Sequence, residues 1–133
     1  MSASTTGNDV IRVEGAPAPV GAYPHARRVG DLLFLSGIGS RVPGSNDIAA
    51  DFEGQCRQVF ANVRTVLEAS GARFEDIVDV TVFLTDMTND FATYNRLYAE
   101  AFAGVDACRT TVEVNALPTA IAIELKCVAH VAS

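Results

Sequence analysis

Apolar residues recur along this chain with the period of a helix in two places. Between Asp51 and Ala69 they fall at steps of three and four, at Phe52, Cys56, Val59, Phe60, Val63, Val66 and Leu67. This spacing predicts an amphipathic helix that ends at Ser70-Gly71. A second stretch has the same period, at Phe91, Tyr94, Leu97, Tyr98, Ala101 and Phe102. It predicts another helix, with Asp90 as its N-terminal cap.

Runs with β-strand composition surround these helices. Residues 26–29 and 32–36 flank Gly30-Asp31, which predicts a hairpin. Residues 77–84 are mostly apolar and β-branched, as in a strand covered on both faces, and residues 109–114 and 120–131 predict two more strands. The order ββαβαββ predicts an α+β sandwich, in which two helices cover one face of a mixed sheet. No element remains to cover the other face.

The remaining segments are polar or rich in proline and glycine. Residues 1–13 are expected to be a loose leader, without the charge and apolar pattern of a signal or transit peptide. Residues 14–25 are expected to be extended and irregular, and residues 37–47 to form a loop. The rest of the chain, residues 14–133, has the length of one domain.

Composition narrows the classes of partner. The 133 residues are 49% hydrophobic, yet no apolar stretch reaches the roughly 18–20 residues of a membrane span. A domain of this size buries only about two-thirds of its surface, so the apolar excess predicts a subunit interface. The net charge of -6 argues against nucleic acid and anionic membranes. Three cysteines without a CxxC pair favour the reducing cytoplasm over a disulfide framework.

Familiar cofactor and metal motifs do not fit. Gly37-Ile-Gly39 follows a predicted strand, but the next glycine is Gly44, too late for a dinucleotide loop, and no helix begins there. The two histidines, His25 and His130, lack metal-ligand spacing. The sequence therefore predicts neither a metal nor a cofactor.

Two charged residues in predicted strands are candidates for chemistry. Arg109 begins a strand beside two threonines, where it could grip a carboxylate through two parallel hydrogen bonds or form an ordinary ion pair. Glu124 interrupts an otherwise apolar strand. If it faces a cleft, desolvation would raise its pKa towards the range useful for proton transfer; otherwise it faces solvent or pairs with a neighbour. Cys108 adjoins Arg109, but no histidine is placed to activate it.

The segment Arg109–Pro118, followed by Ile123-Glu124, resembles the Rid (YjgF-type reactive intermediate deaminase) family. The resemblance extends from about residue 14 to residue 131 and includes Pro19–Tyr23, Leu35-Ser-Gly37 and residues 91–95. It implies a chorismate-mutase-like fold, assembled as a homotrimer (or a dimer of trimers) around a central barrel. It also implies active sites between subunits, where enamines or imines of 2-amino acids are hydrolysed to 2-keto acids and ammonia without a cofactor.

The same resemblance implies roles for single residues. Arg109 would hold the substrate carboxylate, and Glu124 would position or activate the water. Lining and backbone contacts would come from Tyr23, Gly37, Asn95, Thr110 and Thr111, the last standing where many members have cysteine.

Within the family, the stretch Gly21–Arg41 resembles the 2-aminomuconate deaminases of aromatic-compound degradation, which produce 4-oxalocrotonate. Their substrate has two carboxylates and needs a second cationic contact, for which Arg41 and His25 are candidates and Arg27 a weaker one. Two alternatives stay open. One is a general deaminase of 2-aminoacrylate-type intermediates. The other is a non-enzymatic role in chaperone-like holding or RNA-directed inhibition of translation.

Overall fold

The computed structural model describes residues 8–131, in which one mixed sheet carries two α-helices on one face. The strands are β1 (Asn8–Ile11), β2 (Ala26–Val29), β3 (Leu32–Leu35), β4 (Ile38–Gly39), β5 (Ile77–Leu84), β6 (Cys108–Glu113) and β7 (Ile123–His130). The helices are α1 (Phe52–Ala69) and α2 (Met87–Ala101), and a short 3₁₀ turn, Phe74–Asp76, precedes β5. This arrangement confirms the α+β class that the sequence predicts.

The strand order in the sheet is β1-β2-β3-β7-β5-β6, and β4 pairs with β7 beyond the end of β3. Only the β5–β6 pair is parallel; the other pairs are antiparallel. The buried side chains of β5 and β7 alternate along each strand and pack against the apolar stripes of α1 and α2. The core therefore lies between the helices and one face of the sheet.

Three local expectations need correction. Helix α2 begins at Met87, one turn before the position expected, because the Asp86 side chain accepts the Asn89 N–H and acts as the cap. Residues 8–11 of the expected leader form β1, because they pair along the edge of β2; residues 1–7 lie outside the described part. Residues 38 and 39, expected in a loop, form β4 against β7.

The second face of the sheet, called the open face below, carries no helix in the part of the chain that the structure describes. Large apolar side chains stay exposed on it, namely Val10, Val29, Leu32, Phe34 and Val112. This is the uncovered face that the sequence predicts. No helix within residues 8–131 is long and apolar enough to cross a membrane.

Candidate active site

Glu124 lies on the open face, against a break between β3 and β4. Phe34 pairs with Val128 and Ile38 with Leu125, so four residues on one side oppose three on β7. This one-residue offset falls at Ser36 and Gly37, after β3 has ended and before β4 begins. A Cβ atom at Gly37 would lie 2.1 Å from the Glu124 Oε1 atom. Only glycine leaves room for this carboxylate in its present position.

The environment of Glu124 suits proton transfer. Its side chain is half-buried, and this burial raises the pKa of the carboxyl group above its usual 4.5. No ion pair with Glu124 forms within the described residues. A carboxylate that is partly desolvated and unpaired is a stronger base than one in water.

A first hollow, called the Arg41 hollow, gathers part of the predicted site. It is lined by Tyr23, Gly37, Arg41 and Glu124, together with Val20, Gly39, Pro118, Thr119 and Ile121. The Arg41 guanidinium donates to Asn46 Oδ1 at 2.8 Å and to the Ala18 carbonyl at 2.5 Å. Arg41 therefore lines the same hollow as Glu124, and two of its hydrogen-bond donors already have partners.

Two buried polar residues of α1 support this hollow from behind. Asn62 donates to the carbonyls of Gly39 and Arg41, at 2.9 and 2.8 Å. Gln55 accepts from the Ser40 hydroxyl at 3.0 Å. Sequence analysis missed both, although polar residues seven positions apart on an apolar helix face were a usable signal.

His25 does not fit its predicted role. It is buried, and its Nδ1 atom accepts the Val13 N–H at 3.0 Å. The ring hydrogen is therefore on Nε2, which donates to the Pro17 carbonyl at 2.8 Å. A neutral ring with both nitrogens engaged cannot serve as a second cationic contact, so that expectation is wrong.

Arg109 lies in a separate group of residues, on the helix side of the sheet. Its guanidinium carbon lies 4.8 Å from the ring centre of Tyr98 and 5.2 Å from that of Tyr94. Asn95 accepts from Arg109 Nη1 at 2.9 Å, and Tyr94 shares a 2.6 Å hydrogen bond with Thr111. The predicted residues Asn95, Arg109 and Thr111 are thus brought together.

The charge of Arg109 is held in place without being neutralised. Its side chain is exposed, and no carboxylate in the described part of the chain pairs with it. Neutral groups alone fix it: two aromatic faces, which attract cations, and one amide oxygen. The ion-pair alternative for Arg109 is therefore not what the structure shows. The remaining hydrogen-bond donors are free to bind an anion.

Sequence analysis assigned Tyr94 and Tyr98 to a helical stripe and missed their contact with Arg109. Tyr98 stacks on Phe102 at a centroid distance of 3.9 Å, and its buried hydroxyl has no hydrogen-bond partner in the described residues. Burial raises the pKa of Tyr98 to about 12. The ring therefore acts as a neutral support.

Arg109 and Glu124 cannot meet within one chain. They pair with Val80 and Phe83, on opposite edges of β5. Because Val80 and Phe83 are three residues apart, their side chains and those of their partners point to opposite faces. Strand geometry then places the Arg109 and Glu124 Cα atoms about 14 Å apart. Thr110, which neighbours Arg109, points to the open face with Glu124.

The cysteines and the possible metal ligands add little to the surroundings of Glu124 or of Arg109. Cys56 and Cys127 are buried and Cys108 is exposed; all three are free. Within residues 8–131, no group of three or more histidine, cysteine or acidic side chains is placed to hold a metal ion.

Comparison with known proteins now assigns the family. A family model described as Endoribonuclease L-PSP matches residues 13–131. The chain belongs to this family, also called Rid, YjgF or RutC. A RutC family protein of Pyrococcus horikoshii is 41% identical over 92% of this chain and 97% of its own length. An Escherichia coli relative named 2-iminobutanoate/2-iminopropanoate deaminase is 38% identical, covering 90% of this chain and 94% of its own.

Solved structures of Rid proteins share the fold. The crystal structure of RidA from an Antarctic Psychrobacter superposes with a TM-score of 0.88 at 32% identity, covering 92% of this chain and 99% of that chain. The Rid fold expected from the sequence is therefore confirmed. None of these comparisons concerns 2-aminomuconate.

Proposed function

We propose that this Rid protein is a cofactor-independent deaminase that hydrolyses 2-imino acids and their enamine tautomers to 2-keto acids and ammonia. The observation that carries the proposal is Arg109, a fixed and unneutralised guanidinium with free donors. Such a group suits the carboxylate next to the reacting C2 atom. The name of the Escherichia coli relative supports this reaction class.

The chemistry needs one base and one fixed carboxylate. Arg109 holds the carboxylate, which keeps C2 against a water molecule. Glu124 takes a proton from that water while the water oxygen bonds to C2 of the protonated imine. The resulting carbinolamine receives that proton on nitrogen. As the C–N bond breaks, Glu124 takes the hydroxyl proton, which leaves the 2-keto acid and ammonia, and then passes this proton to the ammonia. One water is consumed, and no electron is transferred.

We further propose that two copies of the chain complete each site. Arg109 of one copy would approach Glu124 of its neighbour, since the two residues of one chain face opposite sides of the sheet. The exposed apolar residues of the open face support a homotrimer in which this face lines a central barrel. A dimer of such trimers would use the same sites. The free cysteines favour a cytoplasmic location.

A narrower candidate is 2-aminomuconate. It is supported by Arg41, which lies in one hollow with Glu124 and could meet a second carboxylate. The relatives' names favour smaller imino acids instead.

A steady-state assay of ammonia release decides between these substrates. We expect faster turnover of freshly generated 2-iminobutanoate or 2-aminoacrylate than of 2-aminomuconate. Selective turnover of 2-aminomuconate would establish the narrower activity, and no acceleration of any of them would refute the proposed function.

A further inference from the structure

A second hollow adjoins Glu124 on the open face. It is lined by Gly37, Phe83, Val114, Ala116, Leu117, Glu124 and Lys126 and has a volume of about 490 Å³. That is within the usual range for small-molecule sites. This Lys126 hollow shares only Gly37 and Glu124 with the Arg41 hollow. The carboxylate of Glu124 therefore stands between two separate cavities.

Lys126 is the sole lysine of the chain and brings a positive charge to this cavity. It is half-buried, and its ammonium donates to the backbone carbonyl of Leu35. Among the described residues, no carboxylate lies within ion-pair distance of it. An ammonium group has three donors, and one carbonyl is the partner that the described residues supply, so donors remain for an anion.

The position of Lys126 relates this charge to the reacting atoms. Lys126 and Glu124 are two residues apart on β7, so their side chains point to the same face and their Cα atoms lie roughly 7 Å apart. Phe83, Val114, Ala116 and Leu117 give the hollow that they share an apolar wall. A carbon chain that begins at the atom beside Glu124 can follow this wall to the ammonium group.

We propose that the Lys126 hollow receives the side chain of the substrate and that Lys126 binds an anionic group at its end. This inference rests on the proposed deaminase function and specifies its substrate class. The preferred substrates are then 2-imino acids derived from acidic amino acids, with apolar methylene groups between the two carboxylates. The local positive charge acts against the net charge of -6, which would otherwise disfavour a dianion.

The test compares two substrates of equal chain length. An amino-acid oxidase generates 2-iminoglutarate from glutamate and 2-iminopentanoate from norvaline, and formation of the 2-keto acid is followed above the spontaneous rate. We expect the wild-type protein to favour the dianion. In Lys126→Met the ratio of the two kcat/KM values should fall about tenfold or more, as for the loss of a charge-assisted hydrogen bond. Lys126→Arg, which keeps the charge, should retain most of the ratio.

Arg41→Met is the matched control, because Arg41 is the cation of the opposite hollow. It should change both substrates by the same factor. If the ratio falls in Arg41→Met but not in Lys126→Met, the side chain of the substrate lies in the Arg41 hollow, and the inference is overturned.

Other outcomes separate this inference from the proposed function. Equal losses for both substrates in Lys126→Met would assign Lys126 to folding or assembly and overturn the inference. A wild-type protein that accelerates only 2-iminopentanoate would do the same and leave the deaminase function standing. A wild-type protein that accelerates neither reaction would refute both.

Discussion

The contact between Gly37 and Glu124 makes the site sensitive to a single methyl group. In Gly37→Ala the new Cβ atom would lie 2.1 Å from Glu124 Oε1 and 2.9 Å from the carboxyl carbon. Ordinary contact begins near 3.4 Å, so the carboxylate must move by more than 1 Å. The clash falls on the end of a flexible side chain rather than on backbone, so the fold can accommodate it.

The two effects of this substitution differ widely in size. Moving one side chain away from its preferred rotamer costs about 0.5–1.5 kcal/mol, so the free energy of unfolding should change little. Displacing a catalytic group by about 1 Å lowers turnover by roughly a hundredfold. We therefore expect Gly37→Ala to fold normally and to lose about two orders of magnitude in kcat/KM for a 2-imino acid.

Gly15→Ala is the control, since its Cβ atom would meet Thr65 at an ordinary 3.7 Å. Both variants are compared with wild type by urea unfolding and by ammonia release. A Gly37→Ala protein that keeps kcat/KM within about threefold of wild type would refute the assignment of Glu124 as the base. One that fails to fold would refute the claim that only the carboxylate moves.

Three further predictions follow from the burial and contacts of the site. The raised pKa of Glu124 means that its ionised form opposes folding above the unfolded pKa near 4.5. Glu124→Gln should therefore lose about 10²–10⁴-fold in turnover. At pH 7 it should be at least as stable to urea as wild type, and below pH 4 this gain in stability should vanish. A lower urea-unfolding midpoint than that of wild type at pH 7 would contradict this. Tyr98→Leu should raise KM for the substrate, whereas Tyr98→Phe keeps the ring under Arg109 and should not; equal effects would refute the cation–π support. Burial raises the pKa values of Cys56 and Cys127 to about 12, so both thiols should react with a disulfide reagent only after unfolding, and their reaction in the native protein would contradict the buried assignment.

The main elements were predictable because their apolar patterns are long. Helix α1 extends over 18 residues, and β5 and β7 over eight residues each, enough for the period to show. Strand β4 has two residues and exists because β7 offers a pairing edge. No local pattern can indicate an element that a distant strand creates.

The residue types of the candidate site could be proposed from the sequence, but their geometry could not. Glu124 was apparent as a charge within an apolar strand and Arg109 as a charge at the start of a strand, and the family resemblance implied their roles. Their opposite directions depend on the pairing of β6 and β7 with the two edges of β5, which residue spacing does not reveal. Lys126 was overlooked although its spacing of two from Glu124 already puts both side chains on one face of a strand; the hollow that they share is visible only in the structure.

The central claim is that each active site combines Arg109 of one copy with Glu124 of another. It is tested by mixing Arg109→Ala and Glu124→Gln proteins, each inactive alone, in equal amounts after unfolding and refolding them together. In any closed ring of subunits, about a quarter of the interfaces then pair an intact Arg109 with an intact Glu124. We expect the mixture to recover about a quarter of the wild-type activity. A mixture no more active than its two components would contradict the account.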